Sequence, residues 1–248
     1  MTSEPSTSVG SLGAVQRERA YWEGYEDLDW VAAASKRDVF ATIPRLDGDI
    51  LELCIGAGTF TQAIPRRYAS YRGVDLSRSL LNALRQRMPH VWGVHGNALE
   101  LPFRDESHDV VLVFSGLHHF PHYQRSVEES YRVLRPGGHF FCFEPNDRAW
   151  YRAPMRFLRD RKVVRDFIRI YSEDEVYLDP RAVVETLGRA GFVNRQVSYL
   201  TPRFRPGYLG LANQLFARMM YGAAALGDSE ATQSYFAMSG RKPQRALR

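Results

Sequence analysis

Several residues of this chain have the types and spacing needed to hold and process a small ligand. Glu52 precedes a turn carrying Gly56 and Gly58, Asp75 closes the next apolar run, and His118, His119 and Glu144 stand after or at the end of later apolar runs. Gly56 and Gly58 let the backbone turn sharply and approach a bound molecule closely, while Asp75, about twenty residues on, can accept hydrogen bonds from ribose hydroxyls. Histidine is the residue type best suited to proton transfer near neutral pH. Together these residues describe a nucleotide-type pocket with an acid–base group beside it.

The elements that must position them can be read from the hydrophobic pattern. Strands are expected at about 49–55, 71–75, 91–95, 109–115 and 138–144, alternating with helical segments that include Thr59 to Ala69, which implies a parallel sheet covered on both faces. Asp179 and Pro180 read as a helix cap and first-turn proline, with the helix stopping near Gly191. Val193 to Leu200 and Ser234 to Gly240 look like closing strands.

A dinucleotide site competes for the glycine turn, but its fingerprint needs a third small residue under a pyrophosphate, and Thr61 occupies that place. Glu52 instead suits a ligand without phosphates and with a cationic amino-acid part. Four further blocks follow in order: Gly73-Val74-Asp75-Leu76-Ser77, Gly96 to Phe103, Ser107 to Ser115, and Leu134-Arg135-Pro136-Gly137-Gly138. With the glycine turn, they resemble the class I S-adenosylmethionine-dependent methyltransferases over roughly residues 45–145, in particular the small-molecule, type 11-like members. Cys54 stands where that family usually has its first glycine, and Asn97 where it often has Asp.

The resemblance implies an α/β fold with a doubly wound, mostly parallel seven-stranded Rossmann-like sheet, the last strand antiparallel. It implies S-adenosylmethionine as cofactor. Ligands of open α/β sheets lie outside the carboxyl ends of the strands, which assigns Glu52, Cys54, Gly56 and Gly58 to the methionine part, Asp75 with Leu76 to the ribose, and Asn97 with Ala98 to the adenine. Ser115 is also assigned to the cofactor, at the point where Ser115, His118, His119 and Glu144 face the approach of a methyl acceptor, and the two histidines or Glu144 are the candidate bases. Tyr21 could close over the sulfonium together with Tyr25, or simply pack. The expected activity is methyl transfer to an O, N or C atom of a small organic molecule. Two alternatives stay open: a protein of this fold that binds the cofactor without methylating, as a cyclase or binding module, and a methyltransferase acting on a carrier-bound or protein substrate. Ser115-Gly116-Leu117-His118 lacks the Asn/Asp-Pro-Pro-aromatic pattern of enzymes that methylate planar amino groups, which disfavours such acceptors.

With 248 residues and 44% hydrophobic content, the chain can bury one substantial core. Residues 1–12 read as a disordered tail, 13–46 as an N-terminal helical cap rich in aromatics, and 47–248 as the cofactor-binding domain with a helical insertion at about 203–230. That insertion, apolar but interrupted by Asn213, Gln214 and Arg218, reads as a lid, an interfacial membrane contact or a dimer surface rather than a transmembrane span. Cys54 and Cys142 read as reduced core thiols, and the absence of a signal-like start points to the cytoplasm. Arginines cluster from Arg148 to Arg169, either as a solvated face or as an anion-docking row, yet the net charge of +5 is modest and no nucleic-acid module is recognisable. No metal is expected, and the protein is expected to be a monomer or homodimer.

Overall fold

The computed structural model describes residues 33–150, 175–203 and 211–245, together with a few helical positions between 13 and 20 and the turn residue Glu23. The elements run α1 (Ala33–Ala41), β1 (Asp49–Leu53), β2 (Ser70–Asp75), α2 (Arg78–Arg87), β3 (Trp92–His95), β4 (His108–Phe114), α3 (Tyr123–Val133), β5 (Leu134–Pro145), α4 (Pro180–Arg189), β6 (Val193–Leu200), α5 (Leu211–Ala224) and β7 (Tyr235–Arg241). Their seven strands form one sheet in the order β3-β2-β1-β4-β5-β7-β6. The first five strands are parallel, while β7 runs antiparallel to both β5 and β6.

Side chains alternate across each strand, so one strand supplies both faces of the sheet. Leu51, Leu53, Val111 and Val113 face a core shared with Val127 of α3 and with Val183 and Leu187 of α4. Ile50, Val110, Leu112 and Phe114 face the opposite core, shared with Val39 and Phe40 of α1 and with Leu84 of α2. Near-continuous apolar strands are what a sheet buried on both faces requires. Aromatic rings fill the second layer, with Phe60 stacked on Phe114 at 4.7 Å and Phe143 on Tyr235 at 4.8 Å.

The caps obey local chemistry. Ser77 accepts from the Leu80 amide at the start of α2, and Asp179 accepts from the Arg181 amide ahead of Pro180 at the start of α4. The helix expected over Thr59 to Ala69 is not formed. That stretch holds only a 3-10 turn at Thr61–Ala63, because Pro65 forces Ile64 into an extended conformation, with φ −75° and ψ 127°. The layer is completed instead by α1, whose Lys36 Nζ donates to the Thr59 carbonyl at 2.6 Å. A second correction concerns the Leu134-Arg135-Pro136-Gly137-Gly138 block, which joins β5 directly after α3 through a register shift against β4. Its end is fixed by reciprocal backbone bonds between Gly137 and Lys242 and between Lys242 and Gly138, each 2.9 Å.

Candidate functional site

The strand order reverses between β1 and β4, and the loops leaving these two strands carry most of the expected site residues. β1 ends at Leu53, two residues short of its expected end, so Cys54 leaves the strand with a left-handed φ of 55°. Gly56 and Gly58 follow with φ of 54° and 78°. A Cβ at Gly56 would meet only Leu80, at 3.9 Å, so the backbone there is open to a visitor. A Cβ at Gly58 would lie within 2 Å of Met88 Cε and within 3 Å of Leu84, so Gly58 serves the packing of the turn under α2.

Asp75, at the end of β2, braces this turn. One carboxylate oxygen accepts from the Gly56 amide at 2.8 Å and the other from the Ser77 amide at 2.9 Å. A carboxylate has about four acceptor sites, so two remain for a diol. Leu76 gives its carbonyl to His95 Nε2 at 3.1 Å. After β3, Asn97 turns Oδ1 onto the Leu99 amide at 3.0 Å, while Ala98 buries its methyl group in the core and leaves only its backbone for an adenine edge.

The loop after β4 is equally specific. Ser115 also has a left-handed φ, 51°, and its hydroxyl oxygen is buried with no hydrogen-bond partner. Left-handed conformations at non-glycine residues are costly and gather where function requires them, and a buried hydroxyl without a partner is rarer still. Gly116 lies so close to Cys54 that a Cβ would stand 3.0 Å from Cys54 Sγ, which brings the two loops into contact. Glu144 of β5, fully buried, organises the rest. One of its oxygens accepts from the Gly116 and Leu117 amides, at 2.8 Å each, and the other lies 2.7 Å from His118 Nδ1. The ring of His119 sits 4.1 Å from that of His118, and its Nδ1 lies 3.7 Å from Glu175 Oε1.

Three carboxyls at this rim share an electrostatic character. Burial pushes Glu52 up to about 7, against hydrogen bonds from Thr61 Oγ1 at 2.6 Å and Tyr71 Oη at 2.5 Å. Burial likewise pushes Glu144 up to about 7 and raises Asp75, and His119 acts on both as an opposing charge. His119 therefore lies within electrostatic reach of the acid that ends β2 and of the acid in β5.

The structure thus brings Cys54, Gly56, Asp75, Ser115, His118, His119 and Glu144 to one rim. Glu52 stands at the same rim with its side chain turned inward to Thr61 and Tyr71, while Gly58 packs under α2 and the Ala98 methyl group lies in the core. Tyr21, Trp22 and Tyr25 lie outside the described residues, as does the arginine row from Arg152 to Arg169. Arg148 is described and is bonded to Asp179 at 3.0 Å and Glu230 at 3.3 Å. α5, within the expected insertion, packs Ala217, Met220 and Ala223 against Ala149, just beyond the end of β5. Sequence reasoning missed Glu175. No motif surrounds it, and only its position beside the histidine turn marks it. No helix of the described residues is long and apolar enough to cross a membrane.

Residues 51–142 match the family model described as a methyltransferase domain. The chain is 37% identical to the phthiotriol/phenolphthiotriol dimycocerosates methyltransferase of Mycobacterium tuberculosis H37Rv, over 48% of this chain and 49% of that protein. It therefore spans about half the length of that relative. It is 29% identical to the demethylmenaquinone methyltransferase of Anoxybacillus flavithermus, over 61% of this chain and 72% of that one. Among solved structures, geranyl diphosphate C-methyltransferase from Streptomyces coelicolor A3(2) shares the fold with a TM-score of 0.68 at 14% identity, over 96% of this chain and 100% of that one. The matched segment runs from β1 into β5 and so contains the strands whose loops form this rim, and over that part the chain is similar to S-adenosylmethionine-dependent methyltransferases of class I.

Proposed function

We propose that the protein transfers a methyl group from S-adenosylmethionine to a small organic acceptor. The observation that carries this reading is the contact between the glycine turn after β1 and the histidine turn after β4, where a donor held by the first meets an acceptor held by the second. The residues present fit the cofactor: Gly56 leaves open backbone, Asp75 retains acceptor sites for the ribose, Asn97 stands after β3, and the Ser115 hydroxyl is a buried group in need of a partner. When bound, S-adenosylmethionine supplies an electrophilic methyl on a good leaving group.

The chain's own residues then have two tasks, alignment and removal of one proton. Holding two reactants in register contributes roughly 7–11 kcal/mol. For the proton, Glu144 holds His118 Nδ1 at 2.7 Å, and the tautomer with Nδ1–H toward an ionised Glu144 leaves Nε2 as the basic nitrogen for the acceptor. His118 is the proposed base, Glu144 its positioning residue, and α5 the proposed cover of the acceptor side.

The test begins with calorimetric titration of the full chain by S-adenosylmethionine and S-adenosylhomocysteine, followed by a screen of hydroxylated, aminated and enolisable acceptors for S-adenosylhomocysteine release. Micromolar binding of both, weakened at least tenfold in Asp75→Ala, is expected. No binding of either would end this reading.

A further inference from the structure

We propose that His118, His119 and Glu175 form a binding site for one divalent first-row transition-metal ion of the zinc type. Each residue offers a ligand atom, and the three atoms lie within 4.8 Å of one another. In a tetrahedral site with metal–ligand bonds near 2.0–2.1 Å, ligand atoms stand about 3.4 Å apart, so rotations of about an ångström close the cluster on an ion.

Two features outside the triad favour this. The first is the support behind His118. With Nδ1 on buried Glu144, Nε2 is the nitrogen presented to an ion, and a carboxylate behind a histidine is the recurrent outer partner of metal-ligating imidazoles. The second is backbone anchorage. The Val176 amide donates to the His118 carbonyl at 2.7 Å, which fixes the chain at Glu175 to the histidine turn. Glu175 is buried and both histidines are half-buried, so the site is shielded from bulk water.

The donor set selects the ion. Two imidazoles and one carboxylate suit Zn²⁺, Mn²⁺, Fe²⁺ or Co²⁺ and leave a coordination position open, whereas Mg²⁺ and Ca²⁺ prefer oxygen throughout. An ion on His118 Nε2 takes the lone pair that would otherwise accept the acceptor's proton, so ion binding and base action at His118 exclude each other. Resting on the methyl-transfer reading, one consequence follows for the substrate: in the loaded form, the open position suits a hydroxyl, phenol or enol oxygen of the acceptor.

The experiment titrates chelator-stripped full chain with Zn²⁺ and with Co²⁺ by competition calorimetry. One ion per chain with micromolar or tighter affinity is expected. His119→Ala and Glu175→Gln should each weaken it at least tenfold, Glu144→Gln by about 10- to 100-fold through loss of the outer partner, and surface His90→Ala not at all. Absence of binding by both ions, or unchanged affinity in both His119→Ala and Glu175→Gln, overturns the site. Thermal melts and S-adenosylhomocysteine titrations of the same proteins separate this from a folding defect. They also separate it from the methyl-transfer reading, since ion binding without any S-adenosylhomocysteine binding defeats that reading and leaves the ion site standing.

Discussion

At the N-terminal rim of the sheet, Arg135 holds Asp49 at 2.9 Å and Asp109 at 2.7 Å, and Arg132 holds Glu129 and Asp105, each at 2.7 Å. At the C-terminal rim the carboxylates of Glu52, Asp75 and Glu144 are held by hydroxyls, backbone amides and an imidazole, and among the described residues none has an Arg or Lys partner. The consequences diverge. The Ser70 hydroxyl, and after it Arg135, lowers Asp49, whereas burial raises all three acids at the opposite rim. One rim has its charges satisfied and serves stability. The other keeps its acids raised, which is the pattern of a surface arranged for a ligand; left-handed backbone and an unpartnered buried atom occur at both rims, at Glu106 and His108 Nε2 in the first and at Cys54, Ser115 and Ser115 Oγ in the second.

The largest effect that would break this contrast is on turnover. His118→Ala should lower methyl transfer by about 10²–10⁴-fold with S-adenosylhomocysteine affinity unchanged within a factor of two. Glu144→Gln should fall in the same direction, because a Gln amide donating to Nδ1 would leave the proton on Nε2. Equal turnover in both variants, measured with an acceptor from the screen, would remove base catalysis from this rim.

Next in size is a pH effect on stability. Glu52 stands near 7 when folded and at 4.5 when unfolded, facing Tyr71, Thr61 and the charge of Asp75. Because the folded form binds the proton more tightly, its contribution is most favourable below pH 4.5, declines as pH rises toward 7, and is flat above. Glu52→Gln should remove about 3 kcal/mol of this decline in denaturant unfolding. A wild-type and variant pair with parallel pH profiles would contradict the buried-acid picture.

Smaller effects separate the rims directly. Arg135→Ala should cost about 1 kcal/mol of stability, the pair being partly solvent-screened, and leave cofactor affinity intact. Cys54→Gly and Ser115→Gly should leave stability unchanged or raise it by up to about 1 kcal/mol, since relief of the left-handed backbone outweighs glycine's entropy. A loss of stability from both glycine variants would mean that the strain at the C-terminal rim is not real.

The strands and the order of the motifs were legible in the sequence because apolar runs separated by turn residues carry a parallel sheet almost by themselves. The missing helix over Thr59 to Ala69 was legible too, in Pro65, but the βαβ expectation overrode it. Gly58 was assigned to the ligand, and its packing under α2 could not be read beside that, because it depends on where Met88 and Leu84 arrive from another element. The hydrogen bonds of Glu52 with Tyr71 and Thr61 had no local signal, since the face a strand residue occupies is decided by its neighbours across the sheet. Glu175 had no local signal, because its significance arises only when Val176 bonds to His118.

The placement of β7 between β5 and β6 has a consequence for biogenesis. During synthesis β6 is complete while its slot beside β5 is still empty, and both strands expose unpaired edges until Tyr235–Arg241 has been made. A nascent chain arrested anywhere between residues 201 and 234 therefore presents two adhesive edges at once, and chaperone binding or aggregation of stalled products should peak in that window and vanish once β7 is released.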